Sequence, residues 1–313
     1  MSAPAASVAA AGVATPIATV TLDHCLACGA RAVSPLAMAY EFRGARFPLL
    51  ECTACGMRFL GVQPAPGAFA ELYSAAYFES DYRCGRRDTP YSDEAGFRAE
   101  DEGLLAEFAK LRAPGRLLEI GSAGGWLLKH AGERGWRAQG VEISDEGVAH
   151  TRRLGLEVSH GDLLAATLPA AAFDLVYMGD VLEHVPDCRA VLAEVRRVLT
   201  PGGHLYLRGP ITTHSLARSL ALRLYGATGR SIVLREPPYH LWEFRPAPLA
   251  RLCRASGLEP VSIRQSKIPP GRTHGHKSTV QKLVMSAIDT VNLPLTNAFN
   301  ARGDRAVLIA RAV

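Results

Sequence analysis

From residue 116 onward, short apolar stretches alternate with stretches whose apolar residues recur at helical spacing. The apolar stretches at 116–120, 137–143, 173–178 and 204–208 predict strands, and the segments at 126–134, 145–154 and 187–199 predict helices. We further expect helices at 95–111 and 246–256 and two final strands at 258–264 and 305–310. Strands that alternate with helices form βαβ units. The pattern therefore predicts an α/β fold of the doubly wound, Rossmann-like type, with a parallel sheet covered by helices on both faces.

The overall composition is that of a folded globular protein. Hydrophobic residues make up 48% and charged residues 21% of the 313 positions, which excludes a chain that is disordered, collagen-like or coiled-coil throughout. A chain of this length has room for about two domains. No apolar run reaches the ~20 residues that a membrane helix needs. The net charge of +5 is too small by itself to indicate a nucleic-acid partner.

The first 20 residues are rich in Ala and contain no Lys or Arg. A secretory signal carries positive charge before its apolar stretch, so this segment does not fit one. We expect residues 1–20 to be a disordered tail. Without a signal or a membrane segment, the expected location of the protein is the cytoplasm.

Four cysteines form two C-x2-C pairs, Cys25 with Cys28 and Cys52 with Cys55. Each pair makes a tight turn that points two thiolates at one position, and two such turns form the closed tetrahedral site that structural zinc prefers. Four thiolates leave no open position for a substrate, so a structural role is expected. The alternative is a set of disulfides or unrelated buried thiols. We assign residues 21–68 to a small zinc-binding ribbon.

The predicted strand at 116–120 runs into a glycine-rich turn formed by Gly121, Gly124 and Gly125. Glycines let the backbone approach a ligand closely. A dinucleotide-binding turn follows the pattern G-x-G-x-x-G, which this sequence does not have. Glu119, just before the turn, would repel a pyrophosphate but would attract an ammonium group.

Two further acids follow the next strands. Glu142 ends the second strand, at the distance from the turn where an acid accepts hydrogen bonds from ribose hydroxyls. Asp162 follows the third strand and has the right position to accept from an adenine amino group. A ligand with an ammonium group, a ribose and an adenine, but no phosphate, is S-adenosylmethionine (SAM) rather than NAD.

Five successive segments resemble the motifs of class I SAM-dependent methyltransferases. They read LLEIGSAGG, VEIS, GDLL, FDLVYMGDVLEHV and LTPGGHLYL and lie between residues 117 and 207. The family usually has a glycine where this chain has Ala123. The resemblance implies a seven-stranded sheet whose final hairpin contains one antiparallel strand. It also implies a donor site formed by Glu119, Gly121, Ser122, Gly125, Glu142, Ile143, Asp162, Leu163 and Met178.

The whole chain is similar to a bacterial subgroup with an N-terminal zinc-binding segment. The subgroup features are an LY…YF stretch, here Leu72-Tyr73 and Tyr77-Phe78, and a late PP-x-H-L-x-x-F segment at 237–244. Members of this broad group are associated with methylation of sugars, glycans and other small metabolites. We assign residues 69–313 to the methyltransferase domain, with an insertion at about 211–245 expected to form the acceptor side.

Basic residues are concentrated in and around that insertion. From Val195 to Arg235 there are seven Arg and no Asp or Glu, and the stretch from Arg264 to Lys282 also lacks acids. Arg suits bidentate contacts to phosphates and carboxylates, so the asymmetry predicts a small anionic acceptor, contacted by residues such as Arg230 and Arg235. The alternatives are a solvated basic face, RNA or an anionic membrane surface.

Methyl transfer needs the acceptor aligned with the donor methyl group and, usually, removal of one proton. Histidine is the side chain best suited to that proton transfer near neutral pH. The candidates are His240, on a proline-restricted segment of the insertion, and His184, in the LEH segment after the fourth strand. Asp180 is the third candidate.

Three functional hypotheses follow from the sequence. The leading one is methylation of a small, anionic acceptor such as a sugar, a nucleotide-linked sugar or another biosynthetic metabolite, with O-methylation favoured. The second is an RNA methyltransferase whose ribbon binds RNA. The third is a SAM-binding protein without catalytic activity.

Overall fold

The computed structural model describes residues 16–68, 72, 94–267 and 279–313. In the N-terminal part, the strands are β1 (Thr19–Thr21), β2 (Val33–Phe42), β3 (Ala45–Cys52), β4 (Arg58–Leu60) and β5 (Val62–Pro64). The central part contains α1 (Glu94–Leu111), β6 (Arg116–Ile120), α2 (Trp126–Glu133), β7 (Arg137–Glu142), α3 (Asp145–Arg153), β8 (Glu157–His160), β9 (Phe173–Gly179), α4 (Cys188–Val198) and β10 (Leu199–Pro210). The last part contains α5 (Leu216–Ala227), β11 (Ile232–Leu234), β12 (Trp242–Glu243), α6 (Pro246–Ala255), β13 (Leu258–Ser266), α7 (Thr279–Phe299) and β14 (Arg305–Ala312).

A seven-stranded sheet in the order β13-β14-β10-β9-β6-β7-β8 forms the centre of the larger domain. Strands β10, β9, β6, β7 and β8 are parallel, and β14 runs antiparallel to both β10 and β13. Apolar side chains on the two faces of the sheet belong to two separate buried clusters. Leu117 and Leu175 lie in the cluster with α1 and α2, whereas Leu118 and Val176 lie in the cluster with α4 and α6. The predicted α/β fold, including the antiparallel strand in the final hairpin, is confirmed.

From β6 the chain continues through α2 to β7 on one side of the sheet, whereas from β9 it continues through α4 to β10 on the other side. The direction in which successive strands are added thus reverses between β6 and β9, at the centre of the sheet. The carboxyl ends of β6, β7, β8 and β9 therefore meet along one edge, where ligands bind in open α/β sheets. The acids predicted from the sequence lie at or just beyond these strand ends.

The ribbon forms a second, five-stranded sheet in the order β11-β2-β3-β4-β12. Its outer strands β11 and β12 come from the insertion of the larger domain, which the sequence had assigned to the acceptor side. The buried residues Phe47 and Phe59 of the ribbon belong to the same apolar cluster as Leu118 of the central sheet. The ribbon and the larger domain thus share one core.

Residues before the predicted ribbon boundary at residue 21 take part in the fold. Ile17 is buried, and β1 pairs antiparallel with β5, so residues 16–20 are part of the fold rather than of the expected tail. Residues 1–15 of that tail lie outside the described residues. Tyr73, Tyr77 and Phe78 of the LY…YF stretch also lie outside them. Helix α7, which carries Pro294, was not predicted. Within the described part of the chain, no helix is long and apolar enough to span a membrane.

Candidate donor and acceptor site

The glycine-rich turn after β6 has a backbone that requires glycine at its first position. Gly121 has a φ of 76°, and a Cβ there would lie 2.5 Å from Cγ2 of Val181. Its amide donates to the carbonyl of Val141 at the end of β7 (2.8 Å). Ala123, in place of the family's usual glycine, also has a positive φ, of 48°, which L-residues adopt at some cost. The turn therefore keeps its conformation without the middle glycine.

Glu142 fixes this turn from the neighbouring strand. Its carboxylate accepts from the amides of Ala123 (2.7 Å) and Ser144 (2.7 Å), and its side chain is buried. Burial raises the pKa of Glu142, and the backbone N–H donors partly oppose that shift. Ser144 in turn caps α3 by accepting from the amide of Gly147. Glu142 thus holds the glycine-rich turn in its conformation.

Glu119 is buried at the end of β6 with Oε2 lacking a hydrogen-bond partner among the described residues. Desolvation, followed by repulsion from Asp101 and Glu142, raises its pKa well above the usual range. A buried carboxyl group without a partner is costly. A cationic ligand group beside it would supply the missing donor and favour the ionised form.

After β9 the chain turns at Asp180, whose backbone has a φ of 55°. Both carboxylate oxygens of Asp180 accept from Nη2 of Arg305, at 2.6 and 2.7 Å. Arg305 opens β14, far away in sequence, and no local signal identified it. The proposed role of Asp180 as a base would require this ion pair to rearrange.

His184 and His240, predicted separately, lie side by side. Their ring centroids are 4.9 Å apart with nearly perpendicular planes. Nδ1 of His184 lies 2.9 Å from the carbonyl oxygen of Tyr239, so that nitrogen carries the proton and donates, and Nε2 is the basic nitrogen. Burial lowers the pKa of both rings, that of His240 to about 3. Both imidazoles are therefore neutral at physiological pH.

Glu183 completes this cluster. It is 1% exposed, and its Oε1 lies 3.7 Å from Nε2 of His184 with no hydrogen-bond partner among the described residues. Burial and the nearby Asp180 raise its pKa. Ligand atoms of Glu183, His184 and His240 lie within 4.8 Å of one another, so the three side chains are also chemically able to hold a divalent cation. No role was predicted for Glu183 from the sequence.

The four predicted zinc ligands converge at the base of the ribbon. Sγ of Cys25 lies 3.7 Å from Sγ of Cys55, and Sγ of Cys28 lies 3.6 Å from Sγ of Cys52. Zn–S bonds of about 2.3 Å at tetrahedral angles require sulfur separations of about 3.8 Å, and all four side chains form one potential metal-binding group. These distances exceed the ~2.05 Å of a disulfide bond. The four thiols fit a structural zinc ion.

Comparison with known proteins identifies the family. A family model described as a methyltransferase domain matches residues 94–263. The chain belongs to this family. It is an S-adenosylmethionine-dependent methyltransferase.

Among its relatives, the ubiquinone biosynthesis O-methyltransferase of Ralstonia nicotianae is 29% identical over 163 residues, covering 50% of this chain and 67% of that protein. The protein of the same name from Paraburkholderia phymatum is 31% identical over 160 residues, covering 48% and 66%. This methyltransferase thus spans about two thirds of the length of these relatives.

Similar solved structures include a SAM-dependent methyltransferase from Archaeoglobus fulgidus, with 17% identity and a TM-score of 0.48 over 68% of this chain and 93% of that one. Another is the 1,6-didemethyltoxoflavin-N1-methyltransferase of Burkholderia thailandensis, with 20% identity and a TM-score of 0.47 over 82% and 96%.

The remaining predicted donor residues of the methyltransferase lie along the same edge of the sheet. Ser122 is buried, and its Oγ has no hydrogen-bond partner among the described residues. Gly125 has a φ of 79°, and a Cβ there would lie 2.7 Å from Oγ1 of Thr151. Ile143 is 52% exposed, as a residue covering a ligand would be. The others are Leu163 and Met178, both buried, and Asp162, whose Oδ1 accepts from the amide of Ala165. The unpartnered buried atoms of Glu119 and Ser122, at the edge where the strands end, fit SAM.

In the folded protein, several arginines of the two acid-free stretches lie beside acidic residues from outside those stretches. Arg197 pairs with Glu194, Arg208 with Glu100 and Arg264 with Glu107. The guanidinium of Arg235 lies 3.9 Å from Glu41, and Arg196 donates a hydrogen bond to the backbone carbonyl of Val313. Arg230 is exposed, and Arg272 and Lys277 lie outside the described residues. Arg208, Arg235 and Arg264 are therefore paired with acids that lie far away in the sequence.

Proposed function

We propose that this methyltransferase transfers the methyl group of SAM to a hydroxyl of a small, anionic metabolite such as a sugar or a nucleotide-linked sugar, with His240 accepting the hydroxyl proton. The main support for this proposal is the contact between the rings of His240 and His184. It brings a residue of the acceptor-side insertion against the loop that follows the donor strand β9. The names of the relatives, which are O-methyltransferases, support oxygen as the accepting atom.

Bound SAM supplies an activated methyl group on a sulfonium. In the proposed donor site, Glu119 and Ser122 bind the amino-acid end, Glu142 binds the ribose and Asp162 binds the adenine. Gly121 and Gly125 allow close approach of the backbone. Ile143, Leu163 and Met178 exclude water from the remaining surface of the ligand.

His240 is the proposed base because it is neutral and adjoins the donor side. A ring with a pKa of about 3 is a weak base, so the protein must stabilise the imidazolium as it forms. Asp180 is the acid that favours the protonated form of His240, and Glu183 lies in the same cluster. His184, with Nδ1–H fixed by Tyr239, would orient the His240 ring by packing against it.

The anionic character of the proposed acceptor has its own support in the structure. Its support is a group of three arginines near His214, in the turn that opens the insertion: Arg58 on β4, Arg245 at the end of the insertion and Arg302 just before β14. Burial is the main cause that lowers the pKa of His214 to about 4, and these three positive charges lower it further. We also propose that the ribbon binds structural zinc through Cys25, Cys28, Cys52 and Cys55, and that the protein acts in the cytoplasm.

The test of the proposed base uses His240→Ala, with His204→Ala as the matched control. His204 is a half-buried histidine on β10, at the amino end of the sheet away from the site. We expect His240→Ala to lower turnover of a hydroxylated metabolite by ~10²–10⁴-fold while the affinity for S-adenosylhomocysteine stays within about twofold. The control should retain both properties. Near-normal turnover in His240→Ala would refute the assignment and direct the search to Asp180 or His184.

A further inference from the structure

The insertion joins the ribbon sheet at both of its edges. Strand β11 pairs parallel with β2, at one edge, and β12 pairs antiparallel with β4, at the opposite edge. The residues between these two strands, 235–241, must therefore pass across the sheet from one side to the other. We call residues 235–241 the crossing segment; it contains Pro237, Pro238 and His240.

Backbone contacts hold the end of the crossing segment between the two parts of the protein. On the ribbon side, the amide of Leu60 donates to the carbonyl of Leu241 (3.0 Å). On the donor side, the amide of Leu241 donates to the carbonyl of Glu183 (2.8 Å). The residue next to His240 is thus hydrogen-bonded to a ribbon strand and to the loop after β9 at the same time.

Trp242 extends this connection by one residue. Its ring packs on Phe59 of β4 with centroids 5.7 Å apart, and both side chains are buried. Its Nε1–H donates to the carbonyl of Val185, in the same donor-side loop (2.8 Å). A tryptophan whose apolar face is covered by the ribbon and whose N–H is bonded to the loop fixes the distance between the two.

Arg58 makes a second connection from β4. Its Nε donates to Glu51 on β3 (2.7 Å), and its Nη1 donates to the carbonyl of Thr213, in the turn that opens the insertion (2.9 Å). The Arg58 side chain is only 11% exposed, so these bonds are shielded from water. In the strand register Arg58 lies opposite Glu243 of β12, whose carboxylate accepts from Oγ1 of Thr212.

We infer that the ribbon is a positioning part of the acceptor site, in which β4, through Arg58 and the Phe59–Trp242 contact, holds the crossing segment so that His240 lies against His184. This inference rests on the proposed role of His240. Its consequence is selective: disturbance of β4 loosens the crossing segment and impairs acceptor turnover, and it leaves the donor site, formed by β6 to β9, intact.

The test compares Arg58→Met and Trp242→Phe with the control Arg46→Met. Arg46 lies on β3 of the same sheet and is half exposed. It pairs with Glu41, whose other oxygen lies 3.9 Å from the exposed Arg235, at the end of the crossing segment remote from residues 239–244. Backbone amide exchange of residues 239–244 is measured by mass spectrometry on the full-length protein, and binding of S-adenosylhomocysteine is measured by calorimetry. Arg58→Lys keeps the charge and one of the two bonds.

We expect exchange in 239–244 to become at least about tenfold faster in Arg58→Met and Trp242→Phe, because local opening then breaks fewer contacts. Arg58→Lys should be intermediate, and Arg46→Met should match the wild type. Affinity for S-adenosylhomocysteine should stay within about twofold in all four. For an accepted metabolite, Arg58→Met should lower kcat/KM by at least about tenfold.

Equal exchange rates of residues 239–244 in Arg58→Met and Arg46→Met would overturn the inference. A loss of affinity for S-adenosylhomocysteine in Arg58→Met would also overturn it, because such a loss indicates general destabilisation. Faster exchange with unchanged kcat/KM would also overturn it. If wild-type protein does not bind S-adenosylhomocysteine or turns over no metabolite, the proposed function fails instead. The exchange comparison still decides whether β4 holds the crossing segment.

Discussion

Replacement of Glu142 tests the donor site at the residue that shapes it. Glu142→Ala removes the acceptor of two short hydrogen bonds, from the amides of Ala123 and Ser144, and leaves both donors in a buried region. Hydrogen bonds to a charged group contribute about 1.5–3 kcal/mol each. We therefore expect a loss of about 3 kcal/mol or more in the free energy of unfolding. Glu142→Gln retains an oxygen for one of the two amides and should lose roughly half as much.

Donor affinity should fall in the same variants, because the displaced glycine-rich turn and the lost ribose acceptor both weaken binding. A loss of about 1–3 kcal/mol corresponds to roughly 5- to 150-fold weaker binding of S-adenosylhomocysteine. Urea unfolding and calorimetry measure the two quantities separately. Glu146→Ala is the matched control, since this exposed carboxylate lies four residues away in the first turn of α3. Wild-type donor affinity in Glu142→Ala would refute the reasoning.

Three further predictions concern zinc, pH and the Asp180 ion pair. Elemental analysis should find about one zinc per chain, and replacement of Cys25 and Cys52 by Ser should release it and destabilise the ribbon; full zinc content in that variant would contradict the assignment. Because the pKa of His240 is lowered to about 3, the unfolded chain binds more protons there between pH 3 and 6.5, so stability is lost as pH falls through this window. From pH 7 to 5 the wild type should lose about 2 kcal/mol that His240→Asn does not lose, and equal losses in urea titrations would count against the buried neutral ring. Arg305→Met should free Asp180 and alter the pH dependence of turnover, and an unchanged pH–rate profile would show that the ion pair has no part in catalysis.

The strands and helices that frame the donor site could be predicted from local sequence. The strand Arg116–Ile120 and the helix starting at Trp126 have the predicted bounds to within a residue, because apolar periodicity and glycine stops act over short distances. The cluster of four cysteines could also be predicted from the sequence, because two C-x2-C turns specify their own geometry.

Features that depend on long-range pairing could not be predicted in this way. The pairing of β4 with β12 joins residues about 180 positions apart, and Arg305 reaches Asp180 across 125 positions. Three arginines of the acid-free stretches, Arg208, Arg235 and Arg264, lie beside Glu100, Glu41 and Glu107 from other parts of the chain. The charge of a stretch of sequence therefore does not give the charge of the surface on which it lies.

Transfer of a labelled methyl group measures the proposed reaction itself. Wild-type protein and His240→Ala are incubated with tritium-methyl SAM and a cell extract, and the label is followed in separated metabolite and RNA fractions. We expect label in the small, anionic metabolites with the wild type and a ~10²–10⁴-fold slower incorporation with the variant. Label in the RNA fraction, or no transfer by a protein that binds SAM, would contradict this expectation.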